Sequence, residues 1–148
     1  MRINTFWCRG DIMNITKLKR CLKIYDKNKS SYPRITVMCF AFKGKNMICS
    51  GINSDKTDPI QCKYRKKVII NDKYVDKRHA EVDTLKKLQN MSDMNFKEIT
   101  LFIISKKANG EFRNSKPCPT CRKFIDSLGV GEIVYIYNNK LISEKILS

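Results

Sequence analysis

The chain has 148 residues, 42% of them hydrophobic, and a formal net charge of +16 from 30 basic and 14 acidic residues. That length and apolar content suit one domain around one core, spanning 1–148, and exclude a disordered chain. No apolar run approaches the ~20 residues of a membrane-spanning helix, and the opening MRINTFWCRGD lacks the apolar stretch of a secretory signal, which predicts an intracellular protein with no membrane partner.

The charge favours a polyanionic partner. Its excess is mostly Lys, however, and abundant Lys, Asn and Ile are also what an AT-rich genome encodes. Seven cysteines with a single close pair, Cys118 and Cys121, do not make a secreted disulfide framework. Cys8, Cys21, Cys39, Cys49 and Cys62 read as buried reduced thiols.

In chain order, Ile12, Ile15, Leu18, Leu22 and Tyr25 recur at helical spacing and predict a first amphipathic helix over about 12–28. RITVMCFAF and NMICSGIN, joined by a glycine turn, predict a β-hairpin over 34–42 and 46–53. A basic, irregular loop over about 55–78 follows, with a short strand near 68–70. HAEVDTLKKL opens a helix anchored by Val82, Leu85 and Leu88. EITLFIIS is a continuous apolar run, as in a strand covered on both faces. PCPTCRKFIDSLG carries helix start and stop signals. GEIVYIYN is a further strand, and 138–148 is a tail that could turn back as an edge strand. The order α-β-β-α-β-α-β predicts an α/β fold: a mixed central sheet of about five strands, with parallel crossovers, flanked by helices.

Three residues carry metal-ligand chemistry. Cys118 and Cys121, spaced Cys-x-x-Cys at a helix start, can direct both sulfurs to one ion, and a helix N-terminus favours thiolate. His79 opens the other helix, and successive helices on one side of a sheet start at the same edge. One imidazole and two thiolates leave a fourth tetrahedral position open, as in catalytic zinc sites. Glu81, two residues after the histidine, can serve the proton transfers such a site requires. Each piece has a plainer reading: His-x-Glu arises often by chance, and a lone Cys-x-x-Cys can be a redox pair or half of a structural zinc site. The conjunction is far more specific and matches the H-x-E and P-C-x-x-C signature of zinc nucleobase deaminases.

At HAE and PCPTC the sequence resembles the cytidine deaminase superfamily, whose members act on free nucleosides, nucleotides, tRNA adenosine or polynucleotide cytosine. The resemblance covers roughly 34–137 and implies a three-layer α-β-α fold. It implies one zinc ion held by His79, Cys118 and Cys121. It gives Glu81 the role of moving a proton from water to the ring nitrogen and on to the departing ammonia. It gives the Ala80 backbone amide a contact to the base carbonyl, and Asn53 a contact to sugar or base, although Asn53 could equally be a turn residue. Relatives commonly associate, so a homo-oligomer is implied. After Glu81 the sequence departs from nucleotide-acting members, carrying Val82, Asp83 and Thr84.

The substrate divides the readings. Lys63, Arg65, Lys66, Lys67, Lys73, Lys77 and Arg78, interleaved with Tyr64 and Tyr74, suit phosphate contacts and base stacking along single-stranded nucleic acid. This favours slightly a deaminase converting cytosine to uracil within a polynucleotide. The alternatives are a deaminase of free (deoxy)cytidine or (deoxy)cytidylate, and a zinc-stabilised nucleic-acid-binding module without catalysis.

Overall fold

Strand residues alternate between two apolar layers, and that alternation sets the architecture. The computed structural model describes residues 9–28, 35–64 and 77–146, with side chains from Met13 onward in the first stretch. Its elements are α1 (Arg9–Tyr25), β1 (Val37–Lys43), β2 (Asn46–Ile52), α2 (Pro59–Tyr64), α3 (Ala80–Gln89), β3 (Ile99–Ser105), α4 (Pro119–Leu128), β4 (Glu132–Tyr137) and β5 (Lys140–Lys145). The strands form one sheet in the order β2-β1-β3-β4-β5. Only β3 and β4 pair in parallel; the other neighbours are antiparallel.

Cys39, Ala41, Leu101, Ile103, Ile133 and Tyr135 face the side that packs against α3 and α4. Phe40, Phe42, Phe102, Ile104, Val134 and Ile136 face the other side, under Leu18, Cys21 and Tyr25 of α1. Every second residue therefore belongs to the opposite layer, as the pleat requires, and the sheet is buried on both faces. The result is the expected three-layer α/β fold with five strands.

The expected boundaries shift in instructive ways. Helix α1 ends at Tyr25 rather than about 28, because the Asn28 amide turns back onto the Ile24 carbonyl at 2.7 Å. The segment 138–148 begins with a turn at Asn138 and Asn139, both with positive φ, the conformation that two-residue hairpin turns need. The following residues therefore pair with β4 as edge strand β5. The 55–78 stretch is not wholly irregular, since α2 forms within it; the strand expected at 68–70 lies outside the described residues. Its two ends are stitched together: Arg78 N–H donates to the Lys56 carbonyl, Ser54 N–H donates to the Arg78 carbonyl, and Thr57 bridges to Lys77. Of the expected buried thiols, Cys21 and Cys39 are buried, Cys49 is half-buried and Cys62 is exposed, because α2 turns Cys62 outward; Cys8 lies outside the described residues.

One close approach positions α3. Val82, Leu85 and Leu88 are fully buried beneath it, as expected. Thr84 and Asp83 fasten the same helix. The Thr84 hydroxyl lies 3.0 Å from both the Cys39 and Ala80 carbonyls, and Asp83 accepts from the Ile52 N–H of edge strand β2 at 3.0 Å. Gly51 makes this seating possible: a Cβ there would lie 2.4 Å from Thr84 Oγ1 and 2.8 Å from the Ala80 carbonyl oxygen. Replacing Gly51 with Ala should therefore lower unfolding stability by about 1–3 kcal/mol, the usual cost of overpacking, read as a reduced denaturant midpoint. An unchanged midpoint would show that α3 can lift from the sheet freely.

Candidate active site

Two helix starts meet on one face of the sheet. His79 is the N-cap of α3 and keeps an extended backbone. Cys118 is the N-cap of α4, with Pro119 beginning the helix and Gly129 ending it in the left-handed conformation. The antiparallel pairs β1–β2 and β1–β3 leave β2 and β3 pointing the same way, so α3 and α4 both follow strands of one direction. Their starts therefore come together. His79 Nδ1 lies 3.4 Å from Cys118 Sγ and 3.2 Å from Cys121 Sγ, and the three ligand atoms lie within 4.8 Å of one another.

These residues fit a zinc ion. Zinc prefers nitrogen and sulfur donors at about 2.0 and 2.3 Å, which set tetrahedral edges of roughly 3.5–3.8 Å. The two nitrogen–sulfur separations need to open by only a few tenths of an ångström. The sulfurs are also prepared for a cation. The Cys118 thiol is pulled down to about 4 by the hydrogen bond from Cys121, then by His79 and the Cys121 backbone N–H, against burial. Cys121 is pushed up by the same bond to Cys118, by burial and by the charge of Glu81. Metal binding would displace the thiol protons.

Glu81 sits in the first turn of α3 and is buried. Burial is the main force on its carboxyl and raises it above the ordinary carboxylate value, opposed by nearby His79. Four of the expected residues, His79, Glu81, Cys118 and Cys121, therefore form one cluster. Ala80 is buried at the first helical position, where a backbone N–H has no acceptor within its own helix.

The remaining expected residues have the following partners within the chain. Asn53 is buried, and its amide continues the hairpin: Oδ1 accepts from Val37 N–H at 2.9 Å and Nδ2 donates to the Ile35 carbonyl at 2.8 Å. Tyr64 leans on Phe124 of α4 with ring centroids 5.7 Å apart, and its hydroxyl reaches Ser127. Lys63 lies over the Tyr64 ring. Arg78 is paired with Asp58 at 2.7 Å and Asp83 at 3.8 Å. Lys77 reaches the Thr57 hydroxyl at 3.4 Å. Arg65, Lys66 and Lys67 lie outside the described residues.

Two residues of the site have no counterpart among the expected ones. Asp58 caps α2 by accepting from Ile60 N–H and is buried between Arg78 and Lys86. Gln61, fully buried on α2, accepts from the His79 N–H at 3.1 Å and lies 3.7 Å from Cys121 Sγ. The signal for α2 was present as Asp58-Pro59, a capping residue followed by proline at the first helical position.

Comparison with known proteins agrees with this geometry. Residues 14–137 match the family model described as the cytidine and deoxycytidylate deaminase zinc-binding region. No match is found among curated proteins. The fold is similar to that of a cytidine deaminase from Burkholderia pseudomallei, with 14% identity, covering 95% of this chain and 94% of that one, at a TM-score of 0.55. It is also similar to a dCMP deaminase from the cyanophage S-TIM5 in apo form, with 20% identity, covering 85% and 82%, at a TM-score of 0.52. The structure of that enzyme in complex with dCMP and dUMP matches at 17% identity and a TM-score of 0.50, covering 86% and 82%.

The Asp58 carboxyl is held below its ordinary value: although burial pushes it up, the Ile60 N–H, Lys86 and Arg78 together outweigh that. Its contribution to stability is therefore present above the unfolded carboxylate value of about 3.9 and is lost as pH falls through the lower folded value. Asp58→Asn should destabilise the protein by about 1–3 kcal/mol near pH 6. The gap between variant and wild type should close in denaturation curves taken below pH 4. A gap independent of pH would show that the two cations contribute nothing.

Proposed function

The chain belongs to the cytidine and deoxycytidylate deaminase family, and from that premise we propose that it is a zinc-dependent hydrolase converting cytosine to uracil on a free nucleoside or nucleotide. The observation that carries the chemistry is the buried carboxyl of Glu81 beside the cluster of His79, Cys118 and Cys121. These three residues would hold the metal through Nδ1 and two sulfurs. When bound, zinc with three protein ligands supplies Lewis acidity at its open position and brings the pKa of water there to about 7.

The chain's own residues do the rest. Glu81 accepts the proton that water loses as its oxygen adds to the amino-bearing ring carbon, and delivers it to the adjacent ring nitrogen. A second proton passes through the same carboxyl to the amine, which leaves as ammonia, so that cytosine and water give uracil and ammonia. Burial lifts the Glu81 carboxyl toward the pH at which one group can both take and return a proton. The Ala80 N–H at the start of α3 is proposed to bind the base carbonyl, with the helix dipole behind it. Asn53 is proposed to shape the sugar side from its place at the end of β2.

The choice of a free substrate rests on the described side chains of the basic segment, at 63–64 and 77–78. A polynucleotide groove needs open aromatic faces and uncommitted cations. Tyr64 instead packs on Phe124, and Arg78 is held by Asp58 and Asp83. The net charge of +16 favours the second reading, deamination within single-stranded nucleic acid. A non-catalytic zinc module leaves the buried Glu81 carboxyl without a role.

Glu81→Gln should retain zinc and lower kcat by about a hundred- to ten-thousandfold; variant and wild type equally inert on every amine-bearing base would reject catalysis. A panel of cytidine, deoxycytidine, their monophosphates and a cytosine-containing single-stranded oligonucleotide then decides the substrate. Turnover of monomers without the oligonucleotide is expected, and the reverse pattern would establish the polynucleotide reading.

A further inference from the structure

We propose that Gln61 is a positioning residue for the metal ligands and uses both ends of its carboxamide. Oε1 fixes the main chain at His79, and Nε2 donates to the Cys121 sulfur once that sulfur is a thiolate. This rests on the zinc reading above and deepens it.

Gln61 is fully buried. Its Oε1 accepts from the His79 N–H at 3.1 Å, which holds the residue that opens α3. The same oxygen lies 3.7 Å from Cys121 Sγ, a contact that only a protonated thiol can make favourable. A sulfur bound to a metal has no proton, so an oxygen facing it would meet like charge. The remedy is on the same side chain. Gln61 Nε2 is buried and, among the described residues, has no hydrogen-bond partner. A buried donor left unmet is costly. The terminal torsion of glutamine is broad and soft, so a modest rotation turns an N–H toward the sulfur. That bond would spread the thiolate charge and fix the direction from which Cys121 reaches the metal, as outer partners of metal ligands do.

The platform is rigid enough for this role. Asp58 caps α2 at one end, and at the other Tyr64 packs on Phe124 of α4, the helix that carries Cys121. One short helix thus links His79 and Cys121 through a single carboxamide.

The test uses the full chain loaded with zinc, and separately with Co2+, comparing wild type, Gln61→Met and Gln61→Glu, with Cys118→Ala as the reference for a lost ligand. Gln61→Met keeps the length and removes both polar ends. Its zinc affinity in competition with a chelator should fall by about 10–100-fold. The thiolate-to-cobalt charge-transfer band should shift, and kcat should drop with KM little changed. Gln61→Glu keeps an acceptor for His79 but presents an oxygen to the thiolate, and should weaken zinc at least as far. Zinc affinity within about twofold of wild type together with an unaltered cobalt spectrum, in either variant, would overturn the proposal. If Gln61→Met does not fold, Gln61→Glu decides by the same two measurements. A wild-type chain that binds zinc without turning over any substrate would fail the functional reading alone, because metal affinity and spectrum still judge Gln61.

Discussion

The placement of one imidazole nitrogen against two sulfurs is the constraint on which the rest of this molecule depends. His79 lies 39 and 42 residues before its cysteine partners, so no local preference of the chain can bring them together. What does so is the sheet. Strands β2 and β3 run in the same direction with β1 between them, and each is followed by a helix on the same face. Two helix N-termini, each short of backbone acceptors and each carrying positive partial charge, consequently point at one small volume. The arrangement favours an anionic sulfur at Cys118 before any ion arrives, while burial works against charge on the nearby Glu81 carboxyl.

Holding that placement requires fastening on several sides, and the fasteners differ in kind. Beneath α3, the absence of a side chain at Gly51 lets the helix sit on β2, while Thr84 and Asp83 bond to the backbone of β1 and β2. Beside it, Asp58 holds Arg78, the residue just before the histidine. At α4, Arg122 follows the second cysteine and reaches Glu144 on β5 at 2.9 Å, so even the edge strand contributes to the position of Cys121. The site is thus braced by polar contacts around it and by apolar packing below, where Val82, Leu85, Phe124 and Ile125 are buried.

Much of this was legible in the sequence, for physical reasons. Imidazole, thiol and carboxyl at fixed spacing are rare enough in combination to carry meaning. The alternation of strands and helices allowed their convergence to be anticipated. Legibility failed where meaning depends on what lies across space. Tyr64 finds Phe124 and Arg78 finds Asp58, both distant in the chain, contacts that the composition around them does not announce. Cys62 was expected inside with the other thiols, but residue type alone does not say which way a short helix faces. Gln61 carried no signal of its own, because a lone glutamine acquires significance only from the two groups beside it.

The stitched base of the 55–78 excursion has an evolutionary consequence. Thr57 with Lys77, Lys56 with Arg78 and Asp58 with Arg78 close the chain upon itself just before His79. That closure fixes where the chain enters α3. Lengthening a closed loop is also cheap, about 0.6 kcal/mol for each doubling. Such an excursion is a place where insertions and exchanges can accumulate while His79 and the start of α3 keep their geometry.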